Sequence, residues 1–593
     1  MKRRVRLFAP QLALAGLLLT TAAAAAPVAL PLPARPNIVI LVADDWGFTD
    51  VGAFGGEMAT PNIDALAAQG VRFSNFHVAG SCAPTRAMLQ TGVSSHRAGL
   101  GNMPETIPPA HRGKPGYDAV FNNNIVTIAE RLRATGYRTF LTGKWHLGRT
   151  PATLPTGRGY DHAFALSQSG ADNFENKPNL LLYDKADWTE DGKPADLPMD
   201  FYSSRFIVDK MIEYLGTGDQ SKPFLASVNF LANHIPVQAP DADLARYRGR
   251  YDAGWTALRE RRRASAIAQN MMPAAVPMVT MRSTGAWDRL YPAERRQRAG
   301  AMEAYAAMTT AMDREVGRLV AHLKATGQYE DTVFVFLSDN GPEATDPMVT
   351  PVPRANAIYN YDQSIGQQGR PGSLTAIGAG FASAAASPLR GYKFTASEGG
   401  LRVPMIIAWP GSPAVAKGVI ARGFAHATDV VPTLLQFAGV PPVPVPGKAP
   451  ISGHSLVPML QGGNAGVRAP DEPLGYELSG NAVLWKGDLK LVKNLYPYGD
   501  GKWHLFDIVA DPGETIDLRR ARPDAFRMMQ ADYAAYAKAD KVLPMPPGYS
   551  APQQIMDNAV EELLWPRLRP ILATIAVLFG LFAASLWFWR RRA

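Results

Sequence analysis

The chain has 593 residues, 47% hydrophobic and 19% charged, which is enough apolar material for a large buried core and more than one domain. Its formal net charge of +9 sits at the two ends, on Lys2, Arg3, Arg4 and Arg6 and on Arg567, Arg569, Arg590, Arg591 and Arg592, so the body between them is balanced. A balanced body excludes the basic face that nucleic-acid binding needs, and a single cysteine, Cys82, excludes a disulfide framework or a cysteine-ligated zinc site.

Residues 1–26 combine a basic start, an apolar stretch and a small-residue tail, the three parts of a cleavable secretory signal. Residues 37–43 (NIVILVA) form a continuous apolar run, as expected of a strand buried on both faces. Helices are expected over 61–69 and 126–135, with a strand over 139–141. Short apolar, β-prone runs follow at 224–230, 332–337 and 405–409. This alternation predicts an α/β fold: a large, mostly parallel sheet covered by helices on both faces, with ligands at the carboxyl ends of its strands. Two stretches, 241–298 (rich in Arg and Met) and 343–387 (rich in Gly, Ala and Ser), read as long irregular insertions, either functional covers or mobile segments. Trp188, Trp255 and Trp287, in or near them, fit a pocket lining or plain core. No internal repeat is visible.

From about residue 455 the texture changes. Strands at 482–485, 490–495 and 503–506, joined by tight turns, precede a helix over 523–538, which predicts a smaller C-terminal antiparallel sheet with one helix. The expected domains are 35–454 and 455–545. Residues 571–589 carry no charge and are followed by three arginines. As a helix they cover about 28 Å at about 1.5 Å per residue, close to the ~30 Å hydrocarbon core. Trp587, Trp589 and the arginines fit a transmembrane anchor whose tip stays in the cytoplasm. An exported, disulfide-free chain of this composition fits the periplasmic face of a bacterial inner membrane.

Polar residues follow three of the apolar runs: Asp44 and Asp45, His234, and Asp339 with Asn340. Each carboxylate pair alone also suits a turn or a helix cap. Together, at two strand ends, they suit a hard cation such as Ca²⁺ or Mg²⁺ held by oxygens, because paired carboxylates repel unless a cation or proton intervenes. Cys82 alone reads as a small buried hydrophobe. Its surroundings, Ser81-Cys82-Ala83-Pro84-Thr85-Arg86 with Thr91-Gly92 beyond, form a C-x-P-x-R string.

That string resembles the signature of type I sulfatases, in the alkaline-phosphatase-like superfamily, in which the cysteine becomes Cα-formylglycine. Residues 35–47, Thr60-Pro61-Asn62-Ile63-Asp64, Gly143-Lys144-Trp145-His146-Leu147-Gly148, Ser338-Asp339-Asn340-Gly341 and 398–404 (EGGLRVP) resemble further landmarks of the family, most closely of bacterial arylsulfatases. The resemblance implies a Ca²⁺ (alternatively Mg²⁺) held by Asp44, Asp45, Asp339, Asn340 and the modified Cys82, and an Arg86 that stabilises the formylglycine hydrate. It implies that Lys144 and Lys393 offset charge on the sulfonyl oxygens, that His146 removes a proton from the hydrate, and that His234, together with Lys393, protonates the leaving alcohol. The remaining histidines, His77, His96, His111, His162, His322, His426, His454 and His504, carry no motif and read as structural or surface residues. The implied substrate is a sulfated small molecule or glycan, and the implied maturation partner is a formylglycine-generating enzyme. A phosphonate or phosphate ester hydrolase shares the superfamily. A non-catalytic, membrane-tethered binder of sulfated glycans would have lost a motif residue, and none is missing.

Overall fold

The computed structural model describes residues 35–591 apart from 180–182, 184, 280, 350 and 464–465. The expected secretory signal and the last of the three terminal arginines lie outside these residues. The organising strand is β1 (Asn37–Ala43), whose seven residues are all buried. The other main-sheet strands are β2 (Gly70–Phe73), β3 (Arg138–Lys144), β4 (His162–Leu166), β5 (Trp188–Glu190), β6 (Lys193–Pro194), β7 (Phe224–Asn229), β8 (Thr332–Ser338), β9 (Met405–Ala408) and β10 (Val419–Ala421). They form one sheet in the order β10-β2-β9-β8-β1-β7-β3-β4-β5-β6.

Five central strands, β8-β1-β7-β3-β4, run parallel, whereas β9, β5 and β6 run antiparallel to their neighbours. The expected α/β architecture is present, with a sheet that is parallel at its centre and mixed at its flanks. The reversal at β9 follows from where the chain starts: residues 339–404 stay at the carboxyl end of β8, so the next strand runs back from that end. Parallel packing needs both faces covered, and helices lie around the sheet.

Both stretches expected to be irregular carry helices. Asp241–Ala245 and Gly254–Ala268 lie in the first, which ends inside a helix of 34 residues, Pro292–Ala325. Trp255, Leu258, Arg262 and Ala266 recur at three- and four-residue spacing and are buried, the stripe a surface helix presents to its core. The arginines between them dominate the composition and hide that period. Pro351–Asn360 and Gly378–Ala385 lie in the second stretch. Trp188, Trp255 and Trp287 are core: each is buried, and the last two meet edge to face at 4.8 Å between centroids.

The smaller antiparallel sheet contains β11 (Leu474–Leu478), β12 (Asn481–Lys486), β13 (Leu489–Lys493) and β14 (His504–Asp507). The helix Pro523–Ala539 packs Met529 against Leu484, Leu491 and Leu505. Beyond it, the helix Ala551–Ala559 runs through one wide turn, Val560–Leu564, into Trp565–Arg590, a helix long and apolar enough by length and composition to cross a membrane.

Candidate active site

The register of the sheet sets the two carboxylate pairs side by side. Ala43 and Ser338, the last residues of β1 and β8, are paired, so Asp44-Asp45 and Asp339-Asn340 leave the sheet at the same level. Asp339 N donates to Ala43 O (3.1 Å) and Asp45 N to Asp339 Oδ1 (3.3 Å). Neighbouring strand ends deliver Lys144, the last residue of β3, and His234, shortly after β7. Cys82 opens the helix Cys82–Thr91. Arg86, four residues on and therefore on the same face, donates through Nε to Asp339 Oδ2 (2.8 Å) and through one terminal nitrogen to the Lys144 carbonyl (2.9 Å). Lys144 Nζ lies 2.5 Å from Asp44 Oδ2, and Lys393 Nζ lies 2.8 Å from Asp45 Oδ1. Cys82 Sγ reaches Asp44 Oδ1 at 3.5 Å. All ten residues singled out in the sequence thus lie in one buried cluster: Asn340 Nδ2 donates to Asp45 Oδ1 (2.6 Å), His234 Nε2 lies 3.9 Å from Asp45 Oδ2, and His146, two residues after Lys144, is near enough for the Lys144 and Arg86 charges to act on its ring.

Three carboxylates (Asp44, Asp45, Asp339) face three cations (Arg86, Lys144, Lys393), and the charges do not settle evenly. Burial, then the Asp339 charge, pushes the Asp44 carboxyl up to about 7 despite Lys144 and Arg86. Burial acts on Asp45 in the same sense, but Lys393 and His234 more than offset it and hold this carboxyl at about 2. Burial would neutralise Lys144 and Lys393, yet Asp44 and Asp45 keep both charged. Burial raises the Cys82 thiol well above its ordinary value, so position 82 offers no ready thiolate. A divalent cation fits this set. Asp44, Asp45, Cys82 and Asp339 present ligand atoms within 4.8 Å of one another, and Asn340 Oδ1 is buried with no hydrogen-bond donor. A carboxyl pushed up by its neighbours and an orphan carbonyl oxygen are what a hard, oxygen-seeking cation would satisfy.

Three further residues support the site. Glu105, in the turn Pro104–Thr106, accepts from His146 Nε2 (3.0 Å) and from the Tyr183 hydroxyl. Because the Glu105 carboxylate accepts a hydrogen bond from Nε2–H, His146 Nδ1 carries the lone pair, and that nitrogen is buried without a partner. Burial, together with Lys144 and Arg86, holds the His146 ring below its ordinary value despite Glu105. Glu343 joins Lys393 at 3.2 Å; it stands three residues after Asn340, a nearness that could have flagged it. Tyr305, on the long helix, donates to the Asp45 carbonyl (2.9 Å) and to Asp50 (2.7 Å).

His234 donates from Nδ1 to the Ile235 carbonyl (2.8 Å), leaving Nε2 toward Asp45. Burial, Lys144 and Lys393 keep this ring well below its ordinary value. The remaining histidines find partners elsewhere: His77 with Glu398, His96 with Glu477, His111 with the Pro544 carbonyl, His426 with Thr428, and His162, His454 and His504 with nearby carboxylates. His322 stands on the long helix and is partly buried.

The sulfatase family model matches residues 36–440. The chain is 35% identical over 426 residues to an arylsulfatase of Klebsiella aerogenes, covering 70% of this chain and 89% of that protein. It is 34% identical over 545 residues to an uncharacterized sulfatase of Schizosaccharomyces pombe, covering 87% and 96%. In fold it resembles the PsFucS1 sulfatase from Pseudoalteromonas sp., with a TM-score of 0.56 at 21% identity over 86% of this chain and 91% of that one. The chain therefore belongs to the sulfatase family, in the alkaline-phosphatase-like superfamily, and is a sulfuric ester hydrolase acting on sulfate monoesters.

Proposed function

We propose that the strand-end cluster is the catalytic centre and that Cys82 acts there as Cα-formylglycine. The observation that carries this reading is the meeting of Cys82, in its C-x-P-x-R string, with both carboxylate pairs at the carboxyl ends of β1 and β8. Hydrated, the aldehyde supplies two hydroxyls on one carbon, one to attack sulfur and one to expel sulfate afterwards. A Ca²⁺ ion, with Mg²⁺ as the alternative, would be held by Asp44, Asp45, Asp339, Asn340 and position 82, and supplies positive charge that acidifies a hydroxyl and draws anionic oxygens.

The chain's own residues do the rest. Arg86, fixed by Asp339 and the Lys144 carbonyl, orients position 82. Lys144 and Lys393, both charged, offset the sulfonyl oxygens in a site closed to water, where such charges are most effective. His146 takes a proton at Nδ1, the nitrogen left open by Glu105, and the Glu105 carboxylate stabilises the imidazolium that results. His234 delivers a proton from Nε2 to the leaving oxygen. Burial, Lys144 and Lys393 keep this ring neutral in the free site; the substrate's negative charge offsets the two cations and favours the doubly protonated ring that this step uses.

In the same reading the catalytic domain spans 35–454 and the smaller domain 455–545. The chain is exported behind the signal 1–26, matured by a formylglycine-generating enzyme, and held at the periplasmic face of the inner membrane by residues 571–589. Peptide mass spectrometry on active protein is expected to show an aldehyde in place of the Cys82 thiol; fully active protein carrying only the thiol would reject the mechanism. Nitrophenyl sulfate is expected to exceed nitrophenyl phosphonate esters in kcat/KM, and the reverse order would favour a phosphonate hydrolase.

A further inference from the structure

The turn Pro104–Thr106, which carries Glu105, belongs to no sheet, and what holds it comes from the far end of the chain. Three consecutive carbonyls of this turn and its exit are taken by the segment leading into the apolar C-terminal helix. Asn558 Nδ2 donates to Glu105 O (2.9 Å) and Ile107 O (3.3 Å), and the Tyr549 hydroxyl donates to Thr106 O (2.7 Å). Asn558 is 1% exposed. Its Oδ1 accepts from Arg112 (2.8 Å) and Gln554 (2.9 Å), so both of its donors and both of its acceptor sites are used. Arg112 in turn meets Glu561 and Glu562 at 3.4 and 3.3 Å. On the other side of the turn, Asn102 Oδ1 accepts from Met103 N (2.9 Å) and Thr106 Oγ1 (2.6 Å).

A helix that merely adhered to the body would bury apolar side chains. Among the described side chains of Ala551–Ala559, the buried ones are two alanines and this fully bonded amide. An amide that uses every bond fixes positions, whereas apolar contact lets surfaces slide. The atoms it fixes are the backbone of the residue that orients His146.

We propose that Asn558 is a positioning residue for His146: by holding the Glu105 and Ile107 carbonyls, the helix in front of the C-terminal apolar segment keeps the Glu105 carboxylate on His146 Nε2. This rests on the reading of His146 as the proton acceptor. The active geometry is then completed by residues more than a hundred positions beyond the region matched by the family model.

The test uses the full-length protein in its membrane or in detergent. Asn558→Ala is expected to lower kcat by about 10- to 100-fold, the cost of misplacing a catalytic group by a fraction of an ångström to an ångström, with KM changed less than about 2-fold and the thermal midpoint nearly kept. In a Glu105→Gln background the same substitution is expected to cost less than about 2-fold, because the two act through one contact. Gln553→Ala, on the exposed face of the same helix, is expected to change nothing. If Asn558→Ala fails to fold, Tyr549→Phe, which removes one hydroxyl, is expected to lower kcat by about 3-fold with the same non-additivity. Wild-type kcat in the folded Asn558→Ala variant, or in Tyr549→Phe where that variant serves, overturns the proposal. So does a loss that multiplies fully with Glu105→Gln. His146→Ala separates the two levels: if it keeps wild-type kcat, the site reading fails, and if it abolishes turnover while Asn558→Ala keeps wild-type kcat, only the positioning role fails.

Discussion

Glu105→Gln exposes the reasoning about the site most directly. In the folded protein the Glu105 carboxyl is pulled from 4.5 to about 2: burial works against it, but His146 and the Tyr183 hydroxyl outweigh burial. A depression of that size corresponds to roughly 3 kcal/mol, at about 1.4 kcal/mol per pH unit. Because the folded value lies below the unfolded one, this stabilisation is fully present above about pH 4.5 and is lost as pH falls toward 2. His146, held below its ordinary value, adds a trend of the same sign, since the folded state resists taking up its proton. Replacing the carboxylate by an amide forfeits the charge and also allows the amide to donate to Nε2. The ring would then carry its proton on Nδ1 and have no lone pair where a proton must be accepted, so kcat is expected to fall by roughly 10²–10⁴-fold. Equilibrium urea unfolding between pH 3 and 8 should show a wild-type advantage of roughly 3 kcal/mol near pH 7 that narrows below pH 4.5. Turnover of nitrophenyl sulfate would be measured alongside. A variant that turns over within about 3-fold of wild type would refute the assignment of Nδ1 as the working nitrogen.

Further outcomes follow from other parts of the molecule. Asp339→Ala should lose bound Ca²⁺ or Mg²⁺ and activity together, with no stoichiometric zinc in the parent protein by metal analysis; retained activity would mean that the wrong pair has been assigned. His234→Ala should slow alkyl sulfates far more than nitrophenyl sulfate, since acid assistance of roughly 10²–10⁴-fold matters only for basic leaving groups; an equal loss across aryl sulfates of graded phenol pKa would move the role to Lys393. Deleting residues 571–593 should move the protein from the membrane to the soluble fraction with kcat nearly kept, because Tyr549 and Asn558 both precede the cut. A full-length protein that fractionates as soluble would remove the anchor.

The centre of the fold was legible because parallel strands buried on both faces announce themselves as apolar runs, and the polar residues that break those runs mark the strand ends where Asp44, Asp45, Asp339 and Asn340 meet. The C-x-P-x-R and G-K-W-H-L-G strings marked Cys82, Arg86, Lys144 and His146 for the same reason: their spacing is local. Glu105 was not legible. Its contact with His146 depends on how residues 97–122 fold, and among them only two three-residue turns are regular. The long helix Pro292–Ala325 was hidden by its own composition: alanine, methionine and arginine blur the apolar period, although Met302, Tyr305, Met308, Met312, Val316, Leu319 and Leu323 form its buried face. The return of Tyr549 and Asn558 to the site leaves no trace in sequence, because hydrogen bonds to backbone carbonyls select no side chain on the accepting turn.

The complete burial of Cys82 also sets an order of events in time. The thiol is 0% exposed beneath Asp44, Arg86, Lys144 and Lys393, so another protein can reach it only before the fold closes. The residues that close it arrive late: Asp339 lies 253 positions beyond Arg86, and Lys393 lies 348 beyond Asp45. At about 5–20 residues per second, a ribosome needs roughly 10–50 s to make the first of those intervals. For that long the cysteine string has left the ribosome while its lid does not yet exist. For the formylglycine maturation proposed above, the interval between synthesis of Arg86 and of Asp339 would be the window, and a chain that folds before it is used would keep its thiol sealed inside.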